Sequence, residues 1–340
     1  MSLWVTWMGL NMNYIVLDLE WNQSPGGKEK ENPNLGFEII EIGAVKLNED
    51  FEQTDEYHQY IKPLVYKSLN AHTKEILSVT METLKKEGRL FKICAPEFLK
   101  WCGEDSIFCT WGTMDLSEFQ KNMKYYHMEP MADGPIKYYD IQKLFALAYE
   151  TDTKVRRSLE CAVDYLGIPK YAPFHGALED ASYTSKVLRE LRNKPVLGFY
   201  SYDTYVRPAN RKSEIYDVFD GYAKYISREF SSKEDDMSNR DVTATKCYKC
   251  GKTAHKKIRW FSSNQKNYFC LCYCNEHGYM KGKIRLKKTE TSNIFVVRTL
   301  KLVSEEQSLE VKARQEELRR RRRERRRKAA FEAAEKVMKK

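Results

Sequence analysis

Residues 14–21, YIVLDLEW, constrain the fold more than any other stretch of the chain. Ile15, Val16 and Leu17 have the character of a buried strand. Asp18 and Glu20 follow two apart. Side chains alternate along a strand, so both carboxylates point to one face of a sheet. Two like charges beside an apolar layer are destabilising unless something neutralises them. The rest of the chain must bring a counter-charge, or groups that hold one, to this strand.

The neighbouring segments supply a sheet for it. FEIIEIGAVKLNE (37–49) and YHQYIKP (57–63) have the pattern of two further strands, antiparallel to the first. The polar NQSPGGKEKENPNLG between the first two reads as a long loop. Residues 68–87 are helical in character, in two pieces ending at Gly88, and 96–103 form a short helix. SIFCTWG (106–112) is a buried strand, and Asp115 opens an amphipathic helix. IKYYDIQKLFALAYE is a strand running into a helix, and 158–168 and 179–193 are helices. Strands first, then strands alternating with helices, predict a mixed α/β sheet flanked by helices over residues 12–193.

Further carboxylates fall at element ends. Asp115 follows a buried strand, and HGALED places His175 in a loop and Asp180 in the first turns of the next helix. Taken singly, each has a plain structural explanation. Asp18 and Glu20 suit a solvated strand end, Asp115 an N-cap, His175 a loop and Asp180 the positive end of a helix dipole. Taken together they form a pattern. Asp18-x-Glu20, Asp115 roughly 95 residues on, and His175-x4-Asp180 resemble the three motifs of the DEDDh 3′–5′ exonucleases, of the ribonuclease H-like superfamily. EIIEIGAV resembles that family's second strand, and the likeness covers residues 12–193. TWGTMD departs from it, with Trp-Gly-Thr where many relatives carry Asn or His before the Asp.

The resemblance implies a metal-dependent 3′–5′ exonuclease. Asp18, Glu20, Asp115 and Asp180 would hold two Mg²⁺ or Mn²⁺ ions, hard cations that prefer oxygen ligands. His175 would act as general base, taking a proton from the attacking water.

A second module follows. Five of the nine cysteines lie between Cys247 and Cys274. CYKCGK is a Cys-x2-Cys-Gly knuckle, and Cys274-x2-His277-Gly repeats the spacing. The glycine after each pair allows a tight turn. Cys247, Cys250, Cys274 and His277 are the expected ligands of one structural Zn²⁺ in a zinc-ribbon-like module at 246–300, with Cys272 and then Cys270 as rivals for a ligand position. The domain order predicted is the exonuclease domain at 12–193, a linker at 194–245 with a helix at 214–230 and a flexible SSKEDDMSNRD, the zinc module at 246–300, and a basic helical tail at 301–340.

Charge is divided along the chain. Residues 241–340 hold 28 Lys and Arg against 11 Asp and Glu, while residues 1–240 hold 30 against 37. An acidic body with a basic appendage suits delivery of an enzyme to a polyanion. Arg319, Arg320, Arg321, Arg322, Arg323, Arg325, Arg326 and Arg327, with Lys256 and Lys257 in the zinc module, are candidate phosphate contacts. The expected partner is nucleic acid, RNA or single-stranded DNA; the tail could also serve a ribosome or an acidic protein. A non-catalytic nucleic-acid-binding or regulatory protein on the exonuclease scaffold is the alternative function. No apolar run approaches the roughly 20 residues that span a bilayer. MSLWVTWMGLNMN has no basic start or small-residue cleavage site, so no secretory signal is expected, and with Met12 just before the first strand the leading eleven residues are expected to be a start-site extension. A cytoplasmic location is expected.

Overall fold

The computed structural model describes residues 12–77 and 79–338, with side chains as far as residue 332; the expected extension at 1–11 lies outside them. The chain divides into two compact units between Val206 and Arg207.

The first unit runs β1 (Asn13–Asn22), β2 (Glu38–Leu47), β3 (Gln53–Tyr60), α1 (Ala71–Ile76), α2 (Met81–Glu87), α3 (Phe91–Cys102), β4 (Ser106–Thr110), α4 (Asp115–Tyr125), β5 (Ile136–Asp140), α5 (Ile141–Tyr149), α6 (Leu159–Leu166), α7 (Ala177–Glu190) and β6 (Ser201–Asp203). One mixed sheet has the order β3-β2-β1-β4-β5-β6. β1 is antiparallel to β2 and parallel to β4. The two helical pieces at 68–87 are separated because each has its own cap: Asn70 accepts from the His72 N–H and Thr80 from the Thr83 N–H. The third strand lies earlier than 57–63, and α3 starts before residue 96.

β1 is covered on both faces. Ile15, Leu17 and Leu19 pack with Phe91 and Phe98 of α3 and Leu116 and Phe119 of α4. Val16 points the other way, into a core with Phe145 of α5, Val163 of α6 and Val187 of α7. The alternation then places Asp18 and Glu20 on the Val16 face, just where that apolar layer ends. β1 therefore carries its carboxylates toward α7.

The second unit differs from its predicted organisation. It comprises β7 (Ile215–Phe219), β8 (Tyr222–Ile226), α8 (Lys233–Ser238), β9 (His255–Ser262), β10 (Asn267–Cys274), β11 (Gly278–Lys288), β12 (Ile294–Leu302) and α9 (Glu305–Met338). A second sheet has the order β7-β8-β12-β11-β10-β9. Residues 214–230, expected as a helix, are the hairpin β7–β8. Asp220-Gly221 is a hairpin turn signal, and Gly221 takes φ 85°, which a left-handed turn position requires. SSKEDDMSNRD is not a loose linker, because Ser232 caps α8 and Asp236 is fully buried. The expected linker is thus shared: 194–206 belong to the first unit, which gains β6, and 207–245 begin the second. No helix among the described residues is long and apolar enough to cross a membrane.

Candidate active site

A cleft of about 420 Å³ opens at the end of β1. Asp18, Glu20, Asp115 and Asp180 line it, with Trp21, Trp111 and Gln142. Oxygens of Asp18, Glu20 and Asp180 lie within 4.8 Å of one another. Asp115 sits at the first position of α4, delivered by the turn after β4. That turn is tight: the Thr110 hydroxyl donates to the Gly112 carbonyl at 2.9 Å, and Gly112 has φ 113°. Asp115 is not the N-cap; Met114 occupies that position and makes no side-chain cap. Asp115 instead lines the cleft.

Asp180 arrives by a close approach of two backbones. Gly43 of β2 is the register partner of Asp18. A Cβ on Gly43 would lie 2.1 Å from the backbone of Ala177 and Leu178, in the first turn of α7. Only glycine lets α7 lie this near, which sets Asp180 beside Asp18. The His175 backbone N–H donates to Asp180 Oδ2 at 3.3 Å. Asp180 Oδ1 is buried and has no hydrogen-bond partner. His175 takes φ 69°, uncommon for a non-glycine residue, and its side chain is exposed and does not line the cleft.

The electrostatics follow from crowding. Burial raises Asp18 well above the usual carboxylate range, with Asp115, Glu20 and Asp180 adding to the effect. Burial, then Asp180 and Glu41, pushes Glu20 up to about 8. Asp115 is raised by burial to about 7, partly offset by backbone N–H groups of Asp115 and Leu19. Asp180 is raised by burial to about 6, with the His175 N–H opposing. Carboxylates that resist ionisation together, one with an orphan oxygen, fit divalent cations of the Mg²⁺ or Mn²⁺ type.

One acidic residue escaped the sequence reading. Glu41 is the cross-strand partner of Glu20, and its Oε1 lies 2.8 Å from His58 Nε2. This hydrogen bond is the first cause of a raised His58 pKa. Glu41 stands in an apolar strand, but its neighbours Glu20 and His58 could not be named without the register of β2 against β1 and β3.

The second unit holds the other cluster. Donor atoms of Cys247, Cys250, Cys274 and His277 all lie within 4.8 Å of one another. Cys250 and Cys274 sulfurs are 3.6 Å apart, and His277 Nδ1 lies 3.7 Å from Cys247 and 3.8 Å from Cys274. A tetrahedral zinc with bonds of about 2.3 Å to sulfur requires edges near ~3.8 Å, so the four fit it. Gly251 and Gly278, after each pair, have φ of 72° and 81°. The rivals lie outside the cluster. Cys272 donates to the Met280 carbonyl at 3.5 Å, and Cys270 is buried against Gly282. His277 beside Cys274 holds that thiol down at about 6. Of the two lysines expected to act together, Lys257 stands over the Tyr273 ring at 5.6 Å, while the charge of Lys256 acts on Cys270 and Cys272.

The exonuclease (RNase T) family model matches residues 15–188, just over half of the chain, a span that holds the four carboxylates of the cleft and His175. The chain belongs to the exonuclease family. Its first unit is accordingly a nuclease domain. Solved structures similar to this exonuclease chain include a full-length 3′-exonuclease, 18% identical, covering 53% of this chain and 81% of that one, with a TM-score of 0.44. The nuclease domain of 3′hExo bound to rAMP is 19% identical, with coverage of 55% and 95% and a TM-score of 0.46. E. coli exonuclease I with a dT13 oligonucleotide is 14% identical, with coverage of 54% and 41% and a TM-score of 0.43. No curated protein sequence matches the exonuclease chain.

Proposed function

We propose that the protein is a metal-dependent 3′–5′ exonuclease that removes nucleotides from the 3′ end of single-stranded nucleic acid, RNA before DNA. The observation that carries the reading is the meeting of Asp18, Glu20, Asp115 and Asp180 in one cleft, with His175 tied to Asp180 through its backbone. The four carboxylates would hold two Mg²⁺ or Mn²⁺ ions. When bound, such ions stabilise charge on the attacking and leaving oxygens of a phosphodiester. Asp180 Oδ1 is a ready donor because no protein group uses it.

His175 accepts the proton of the attacking water. Its ring, on an exposed loop, would have to turn into the cleft by side-chain rotation for this role, while its N–H keeps the loop on Asp180. Trp21 and Trp111 flank the carboxylates and offer faces for the terminal bases. In the second unit, Cys247, Cys250, Cys274 and His277 would hold one structural Zn²⁺; all four positions are filled by protein, leaving none for substrate. The arginines of α9 would add affinity for the strand without reading its sequence.

The test is a pair of RNA strands identical but for a free or a blocked 3′ hydroxyl, incubated with Mn²⁺. Shortening of the free strand alone is expected. Equal cleavage of both would make the enzyme an endonuclease or a 5′ enzyme.

A further inference from the structure

The second sheet gathers cations in rows, where the first gathers carboxylates. Strands β8, β9, β10, β11 and β12 contain no aspartate or glutamate. β11 alternates strictly: Met280, Gly282, Ile284 and Leu286 are buried, and Lys281, Lys283, Arg285 and Lys287 stand on the other face. Lys281 is directly opposite Lys301 of β12. Lys283 is opposite Thr299, whose other neighbour is Lys224 of β8. Like charges in register across strands are destabilising. Asp217 of the edge strand β7 is the register partner of Lys224, and the row on β11 runs through the interior of the sheet order.

Helix α9 borders the same face. Val311 packs with Leu271 and Ile258, and Arg314 lies over the Phe269 ring at 4.3 Å. Lys281 covers that ring at 5.8 Å and Lys287 covers Phe295 at 5.6 Å. Both rings are buried, and Tyr279, at the end of the β11 row, lies under Lys312 at 5.9 Å, so cations cover the rings of this face.

We propose that this face is a second nucleic-acid site, on which the phosphates of a single strand lie across β12 and β11, with α9 as its wall. The strand is held chiefly by its backbone, with little sequence preference, because Lys281, Lys283, Arg285, Lys287 and Lys301 offer charge rather than base-edge contacts. That the polyanion is a nucleic acid rests on the exonuclease reading of the first unit.

The experiment uses the full, zinc-loaded chain without added Mg²⁺ or Mn²⁺ and a 5′-labelled single-stranded RNA, with affinity measured by anisotropy between about 50 and 200 mM salt. Lys283→Ala/Arg285→Ala is compared with Lys85→Ala/Lys86→Ala, which removes equal charge from exposed positions on α2. Both replaced pairs are exposed, so folding is preserved. The sheet variant is expected to bind more weakly, with a log–log salt slope reduced by about 1.4, the value for two lost phosphate contacts on a single strand. The α2 variant should keep the wild-type slope. Equal slopes for all three proteins, or no binding by the wild type, would overturn the proposal. Retention of polyglutamate but not RNA would also overturn it and assign the face to an acidic protein. Hydrolysis of the same RNA with Mn²⁺ is followed separately. Its absence beside the expected salt slopes contradicts only the exonuclease reading.

Discussion

His175 and Asp180 are joined by a backbone hydrogen bond of 3.3 Å to one carboxylate oxygen, while the other oxygen is buried without a partner. A buried acceptor left unpaired is costly unless a ligand uses it. Asp180→Asn should therefore reduce hydrolysis by roughly 10²–10³-fold, as for loss of one preorganised electrostatic group. Mn²⁺ affinity, measured by calorimetry, should fall with it. Retained metal affinity in this variant would remove Asp180 from the ligand set.

The carboxylate cluster makes metal-free stability fall as pH rises. Glu20, Asp115 and Asp180 are raised to about 8, 7 and 6, so the native state binds more protons than the unfolded chain between about pH 4 and 8. In chelator, the melting temperature of the first unit should decline across that window. Asp18→Asn should raise it at pH 8 by at least about 2 °C, and Mg²⁺ should stabilise wild type more at pH 8 than at pH 5. A flat profile in chelator would contradict the crowding.

Gly43 controls the approach of α7. Gly43→Ala puts a methyl group against the backbone of Ala177 and Leu178. Overpacking of this kind costs about 1–3 kcal/mol. The variant should melt lower and lose activity through kcat as Asp180 moves. Unchanged kcat would show that the helix shifts without carrying Asp180 away.

Zinc content separates the ligands from their neighbours. The wild type should carry one zinc per chain by elemental analysis. Cys274→Ser should lose it, and Cys272→Ser should keep it, because Cys272 donates to the Met280 carbonyl instead. The opposite result would move the ligand one turn of the strand pattern inward.

The first unit was legible because its signals are local. Ile15, Val16 and Leu17 mark the strand, Asn70 and Thr80 cap separate helices, and the motif carboxylates fall at element ends. Gathering them in one cleft needed the sheet order, which the family resemblance supplied. Glu41 stayed hidden because Glu20 and His58 reach it only through the register of β2 with β1 and β3. In the second unit the cysteine spacing pointed to the four residues whose donor atoms the fold brings together, since a knuckle is a local turn. The hairpin at Asp220-Gly221 was misread as helix because its strands are short and gain their partner, β12, from far along the chain. The cation row on β11 is an alternation at period two. It emerges as a surface only when Lys301 and Lys224 are placed beside it.

The central claim is tested most directly with a 5′-labelled single-stranded RNA and its DNA counterpart, with Mn²⁺ or chelator, wild type beside Asp18→Ala. The account predicts a descending ladder of one-nucleotide steps that requires metal and vanishes in the variant. The RNA-to-DNA rate ratio then fixes the substrate class. No shortening of either strand, or a ladder that persists in Asp18→Ala, would contradict it.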